Sequence, residues 1–513
     1  MVEITRRDFI KAAGGFVSAA ALSPGLLGEA LAQESKRFNI LFLMTDQHCH
    51  SVMRCAGNQV VHTPNLDRLA AEGARFTSSV CATPFSSPTR ASFITGQWPH
   101  THGIVKNVDG NKVKGLDDSV IATEQVLHDK GHRTFHMGKW HLGNPVDLRC
   151  YRRERDLVST DAYRQVRKSL HEDQWYKVRS GETQIGDVAY TAEMAEIHKR
   201  WAEEKNRAEQ DLTVIGRHLL PAEYSFESWL TDRCIDLIRK YGDDNFMITW
   251  SVSPPHAAWI VPDPYYSMYD PSKMPLPASW GEIPEVYKDS SAGHFSSRMG
   301  EKRIREMLRC YYGQVTMMDW CIGRILDALQ EHDLEKDTLV VFTSDHGDMQ
   351  GAHGMVCKSL PGYYDEIVRT PLIVRYPGKV KPGAVIDTHV NSVDLAPTFL
   401  DYAGVQIPNS VQGVSLRPLL EGKVRNDDRP AFCERGLGSE KGGWSRMIRT
   451  HEWKYAYFAD GRRELFNLAR DPHEMKNLAD DSSAAADMKS LHKKLIDQAE
   501  KSKDPALQFL AKA

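Results

Sequence analysis

Three short runs of this chain have the same shape. "FNILFLMTDQH" carries Phe38 to Met44 into Asp46, "NFMITWSVSPPH" leads to His256, and "TLVVFTSDHGD" leads to Asp345 and His346. Uninterrupted apolar runs of this length suit strands buried on both faces, as in a parallel sheet covered by helices. Helical segments lie between them. "TPNLDRLAAEG" offers Thr63 as cap, Pro64 in the first turn and Gly73 as stop, and "YYGQVTMMDWCIGRILDAL" puts Val315, Met318, Ile322 and Ile325 on one stripe. The alternation predicts an α/β fold with a doubly wound, mostly parallel sheet and helices on both faces. Such sheets bind ligands beyond the carboxyl ends of their strands. Here three strands end in side chains that can hold a metal or move a proton.

At 513 residues the chain is long enough for a large core and a smaller second unit. The rhythm breaks at about 150–225, where charge-rich stretches with a narrow Met194, Ile197 and Trp201 face predict a mostly helical insertion acting as a lid or interface. After Gly404 it breaks again. "RPAFCERG", "SRMIRTHEWKYAYFAD" and "RRELFNLARDP" read as short antiparallel strands closed by a helix around Ala484–Ala499, so the expected division is 36–404 for the catalytic domain and 405–513 for a small α+β subdomain. The first 32 residues stand apart. Arg6 and Arg7, a short small-residue apolar stretch and Ala30-Leu31-Ala32 resemble a twin-arginine export signal, which implies a periplasmic or secreted protein handled by the twin-arginine machinery. No later segment offers about 18 uninterrupted apolar residues, so no stable membrane insertion is expected. A net charge of −3 without a basic run gives no reason to expect a nucleic-acid partner. The nine cysteines contain no metal-binding pair, and buried thiols are the simplest reading of them.

The chemistry converges on "PFSSPTRASFITG", where Ser86 stands four residues before Arg90 at a helix start. A plain turn is one reading, since Ser and Pro are common there, and a presented nucleophile is the other. Asp46, Gln47, Asp345 and His346 supply mostly oxygen ligands and one imidazole, a set suited to one divalent metal: Ca2+ as first choice, with Mn2+ or Mg2+ as alternatives. "GKWHLG" adds Lys139 and His141, "SPPHAAW" adds His256 and "HGMVCKSLPGYYDE" adds Lys358. Singly, each is more often a surface cation, a cap or a structural imidazole. Together, a nucleophile, a metal and a ring of cations describe transfer of an anionic group.

"SSPTRASFITG" resembles the sulfatase signature, and "GKWHLG", "SDHGD", "HG…K…YYDE…RTPLIV" and "LFNLARDPHEMKNLA" follow in that family's order from about Asn39 to Ala479. The resemblance is to formylglycine-dependent sulfatases of the alkaline-phosphatase-like superfamily. It implies that Ser86 is oxidised to formylglycine, whose hydrate is also a metal ligand, and that Ser in place of the commoner Cys calls for a radical, anaerobic-type maturase. It further implies that Arg90 steadies the hydrate, that one of its oxygens attacks sulfur while His256, helped by Lys358, protonates the departing alcohol, and that His141 takes the proton that expels sulfate. The resemblance also implies that Lys139, His141 and Lys358 occupy the region where related phosphatases hold a second metal. Gln47 and His346 depart from the commoner acid and Asn, and resemble the choline-sulfatase and phosphonate-monoester-hydrolase branch.

The expected function is therefore hydrolysis of a small-molecule or carbohydrate sulfate ester. A phosphonate or phosphodiester hydrolase on the same scaffold is the alternative, and a non-catalytic binder of sulfated ligands with unmodified Ser86 is the second. Trp259, Tyr265, Tyr266 and Tyr269 could stack on a substrate ring or simply pack.

Overall fold

The computed structural model of the protein describes residues 37–108, 114–117, 119–143, 178–203, 214–281, 283–289, 299–358, 362–424, 427–438 and 443–512. The expected leader, Cys150 and the insertion before 178 lie outside them. Seven strands form the central sheet: β1 (Asn39–Asp46), β2 (Ala74–Phe76), β3 (Arg133–Gly138), β4 (Phe246–Pro255), β5 (Thr338–Ser344), β6 (Leu372–Arg375) and β7 (Ala384–Ile386). Their spatial order is β7-β2-β6-β5-β1-β4-β3, and only β6 runs against the others.

Every residue of β1 and β5 is buried, because both faces are covered. Along β1, Leu41 and Leu43 face one apolar cluster while Ile40, Phe42 and Met44 face another; β5 alternates likewise with Val340 and Phe342 against Leu339 and Val341. Helices α1 (Pro64–Glu72), α2 (Ser86–Thr95), α3 (Glu301–Glu331), α4 (Leu395–Tyr402) and α5 (Ala485–Ser502) supply much of the covering. The α3 stripe, Val315, Met318, Ile322 and Ile325, fills the first cluster, and Phe93 and Ile94 of α2 with Phe399 of α4 fill the second. At α1 the expected cap differs. The Thr63 hydroxyl accepts from the Arg54 N–H at 2.9 Å and does not cap the helix. Asp319 of α3 does so instead, accepting from the Asn65 and Leu66 N–H groups at 3.1 and 2.7 Å.

In its described part the insertion is mixed and not mostly helical. Strands Glu182–Ile185, Val188–Thr191 and Ile215–His218 join Trp259–Pro262 in a four-stranded sheet, with helix Ala192–Glu203 beside them. Met194 is buried there, while the side chains of Ile197 and Trp201 lie outside the description. Trp259, Tyr265, Tyr266 and Tyr269 are all core residues, so their role is packing.

The C-terminal sheet is antiparallel: β8 (Ala431–Arg435), β9 (Ser445–Arg449), β10 (Trp453–Phe458) and β11 (Arg463–Asn467), in that order. Leu491 and Leu495 of α5 pack on Ile448, Tyr455 and Leu465. This sheet also braces the segment leading to Ser86, since the Glu434 N–H donates to the Ala82 carbonyl at 2.9 Å. Among the described residues, no helix is long and apolar enough to cross a membrane.

Candidate active site

Strand register delivers the acids to one place. Thr45 lies opposite Ser344 and Asp46 opposite Pro255, so the parallel strands β5, β1 and β4 end level and present Asp345-His346, Asp46 and His256 side by side. Strand β3 ends opposite Ser251, at Gly138, whose φ is +83° and where a Cβ would stand 1.9 Å from the Ser251 carbonyl oxygen. Only glycine permits that approach, and Lys139 follows at once. The loops then turn sharply. Gln47 (φ +64°), His141 (φ +60°) and Cys357 (φ +62°) all adopt the left-handed conformation uncommon outside glycine.

Ser86 opens α2, a ten-residue helix buried along its whole length, with Pro88 in the first turn where its missing N–H costs nothing. The helix side chains find partners in the flanking chain: Thr89 donates to the Thr83 carbonyl, and Ser92 meets His102 Nε2 at 3.1 Å. The Ser86 hydroxyl lies 3.0 Å from His346 Nε2. His346 Nδ1 lies 2.9 Å from the Gly347 carbonyl, so that nitrogen carries the proton and Nε2 is left as an acceptor. Burial, reinforced by Lys358, keeps this imidazole neutral.

Arg90 ties the site together. Its Nη2 donates to Asp46 Oδ2 at 2.9 Å, its Nε to Asp345 Oδ2 at 2.8 Å, and its Nη1 to the Lys139 carbonyl and the Ser251 hydroxyl at 2.8 and 2.7 Å. Lys139 Nζ stands 2.6 Å from Asp46 Oδ2. Lys358 Nζ donates to Gln47 Oε1 at 3.0 Å, and the Gln47 N–H donates to Asp345 Oδ1 at 3.1 Å. His256 Nδ1 is held by the Ala257 carbonyl at 2.6 Å, leaving Nε2 for the pocket. His141, half-buried, lies two residues beyond Lys139 on the same loop.

The charges explain the perturbed acidities. Burial alone would raise the Asp46 carboxyl, but Lys139, His256, Arg90 and Lys358 hold it well below the usual range. Asp345 moves up, driven by burial and by the neighbouring Asp46 carboxylate. Burial, aided by Lys358 and Lys139, lowers His256 to about 3, and burial also lowers Lys358. Three buried carboxylates, Asp46, Asp345 and Asp348, balance Arg90, Lys139 and Lys358, so a divalent cation would leave the pocket positive and suited to an anion.

The donor set also fits a divalent cation. Ligand atoms of Asp46, Asp345 and His346 lie within 4.8 Å of one another, and Asp46 Oδ1 is buried with no hydrogen-bond partner. An orphaned carboxylate oxygen in a buried site is costly unless a cation meets it. His100, Glu434 and Asp504 form a second grouping, but Arg446 already donates to Asp504 Oδ1 at 2.7 Å and His100 Nδ1 meets Glu434 Oε2 at 2.8 Å. That cluster is an ion-pair joint between the C-terminal sheet and the core.

Three further residues support the site without having been singled out in the sequence. Ser251 holds Arg90 and donates to the Lys139 carbonyl at 2.9 Å; it is hidden inside an apolar run. Tyr311 donates to the Gln47 carbonyl at 2.6 Å and accepts from the Cys49 N–H. Asp348, in plain view in "SDHGD", accepts from the Gln47 amide.

Comparison with known proteins gives the same direction. A sulfatase family model matches residues 38–405, and a model of the N-sulphoglucosamine sulphohydrolase C-terminal region matches 351–501. Arylsulfatase of Clostridium perfringens is 29% identical over 90% of this chain and 94% of its own, and N-acetylglucosamine-6-O-sulfatase of Bacteroides thetaiotaomicron is 25% identical over 94% and 90%. The fold is shared with phosphonate monoester hydrolase from Silicibacter pomeroyi, at a TM-score of 0.73, 24% identity and coverage of 92% and 97%. Since the sulfatase match takes in every strand of the central sheet, the chain belongs to the sulfatase family and is a sulfuric ester hydrolase.

Proposed function

We propose that this enzyme hydrolyses the sulfate ester of a carbohydrate, with residue 86 converted to formylglycine and one divalent cation held by Asp46, Gln47, Asp345 and His346. The observation that carries the reading is the Ser86 hydroxyl, buried at the N-terminus of α2 and 3.0 Å from a neutral His346, in a pocket that also holds Arg90, Lys139 and Lys358. The carbohydrate class rests on the B. thetaiotaomicron relative. A formylglycine hydrate would supply both the attacking oxygen and the second hydroxyl that later expels sulfate, while the cation would neutralise charge on the sulfate oxygens.

The remaining work falls to the chain's own side chains. Lys139 and Lys358 flank the position of the sulfate oxygens, and Arg90 keeps Asp46 and Asp345 charged and in place. His256 presents Nε2 because Ala257 fixes Nδ1. Its low basicity is owed after burial to Lys358 and Lys139 in part. An anion seated between those cations opposes both effects and raises the imidazole toward the range of an acid, so substrate binding itself readies the proton for the departing alcohol. His141 takes the proton that accompanies sulfate release.

The twin-arginine leader would take the folded protein to the periplasm or beyond, after a radical maturase has acted on the nascent chain. Gln47 and His346 favour a second reading, cleavage of phosphonate monoesters. Protein co-produced with an anaerobic-type maturase tests both. The expected result is a Ser86 peptide two hydrogens lighter and faster turnover of 4-nitrophenyl sulfate and N-acetylglucosamine 6-sulfate than of a phenyl phosphonate ester. Faster turnover of the phosphonate reverses the order, and an unshifted mass with no turnover leaves a sulfate-ester binder.

A further inference from the structure

The Gln47 side chain is held at both ends. Its Oε1 accepts from the buried Lys358 ammonium at 3.0 Å, and its Nε2 donates to Asp348 Oδ2. The main chain is fixed as well: φ is +64°, the N–H donates to Asp345 and the carbonyl accepts from Tyr311. Asp348 is fully buried and anchored through its other oxygen, which accepts from the Gln350 and Cys357 N–H groups at 2.8 and 3.1 Å. Little freedom is left at Gln47 except rotation of the amide by half a turn. That rotation decides whether an oxygen or an NH2 faces Lys358.

A carboxylate can only accept, so it pairs with the NH2 and drives the oxygen the other way. We propose that Asp348 is the positioning residue that sets the Gln47 amide, turning Oε1 toward Lys358 and toward the divalent ion of the proposed reaction. The two residues then form a matched pair. Glutamate at 47 would set two buried carboxylates face to face, and lysine would have no acceptor for Lys358. Only an amide of this length donates to Asp348 while accepting on the other side. The inference rests on the single-cation reading, but not on any substrate.

Asp348→Asn keeps an oxygen for the Gln350 and Cys357 N–H groups and places an NH2 against the NH2 of Gln47, which must turn. Mn2+ titrated calorimetrically into chelator-treated protein should bind about 10- to 100-fold more weakly, the usual effect of losing an outer-shell partner, while the metal-free unfolding midpoint changes little. Gln47→Glu alone adds a carboxylate that the cation would itself attract, so the informative variant is the charge-matched double. The double variant Q47E/D348N restores a donor facing an acceptor at the wild type's total charge, and its affinity should recover relative to D348N. Unchanged Mn2+ affinity in D348N, or a double variant no tighter than D348N, would overturn the proposal. If D348N fails to fold and the double variant folds, the pairing is supported; if neither folds, a crystal structure of the wild type with Mn2+ decides, with Oε1 facing the ion expected and Nε2 facing it contradictory. Metal binding is read without substrate, so failure here leaves sulfate hydrolysis to its own assay.

Discussion

Arg90 is the residue on which the site closes. Its guanidinium is the shared partner of both strand-end carboxylates, and all of it is out of water. Removing one partner of a buried ion pair leaves an uncompensated charge, which costs about 3–5 kcal/mol. Arg90→Met should therefore lower the unfolding free energy of metal-free protein by about that much in urea titration, and abolish turnover with it. His256 belongs to the same scale. If it protonates the departing alcohol, His256→Ala should slow hydrolysis by about 10²–10⁴-fold for a sugar sulfate, and much less for 4-nitrophenyl sulfate, whose phenolate leaves without help. Equal losses on both substrates would remove His256 from that role. At this scale the sequence was informative where a side chain ends a strand, as with Asp46, Asp345 and His256. It was silent about Ser251 and Tyr311, because a hydroxyl in an apolar run or on a long helix looks like packing until its partner, about 160 or 260 residues away along the chain, is in place.

Among the elements, α2 carries the most constraint. It is polar in sequence yet wholly buried, so its stability depends on internal hydrogen bonds and on its ends. Gly96 closes it in the left-handed conformation, φ +64°, where a Cβ would stand 2.8 Å from Val411. Gly96→Ala should cost about 1–3 kcal/mol, read from the denaturation midpoint. Beneath the helix, His102 meets Ser92 through Nε2 and accepts from the Ile104 N–H through Nδ1, which fixes it as neutral, and burial lowers it to about 3. Its folded value lies below its unfolded one, so the unfolded chain binds the extra proton between about pH 6.5 and 3. Stability from this group is present above that window and is lost as pH falls through it. The difference in unfolding free energy between wild type and His102→Gln should therefore shrink on acidification from pH 7 to 5, and a difference that stays constant would contradict the assignment. The periodicities of β1, β5 and α3 were legible because each buries a regular pattern. The cap of α1 was not, because Asp319 reaches it from another helix; nor were the strands of the insertion, whose charged sequence resembles a solvated helix until Trp259–Pro262 joins them.

On the scale of the whole molecule, the parallel register of β5, β1 and β4 and the brace from the C-terminal sheet gather residues that the chain holds up to about 310 positions apart into one buried, charged pocket. Carboxylates that repel one another in the absence of an ion should make stability depend on it. Adding a divalent cation at about a hundredfold over its dissociation constant should raise the unfolding free energy by about 2.7 kcal/mol, and a chelator should remove the gain; an unfolding midpoint indifferent to both would deny the site an ion. The most direct test is release of inorganic sulfate from N-acetylglucosamine 6-sulfate by protein whose Ser86 peptide is already two hydrogens lighter. Release that disappears in Ser86→Ala is the expected result. A converted residue 86, a bound cation and no sulfate released from this or an aryl ester would contradict it.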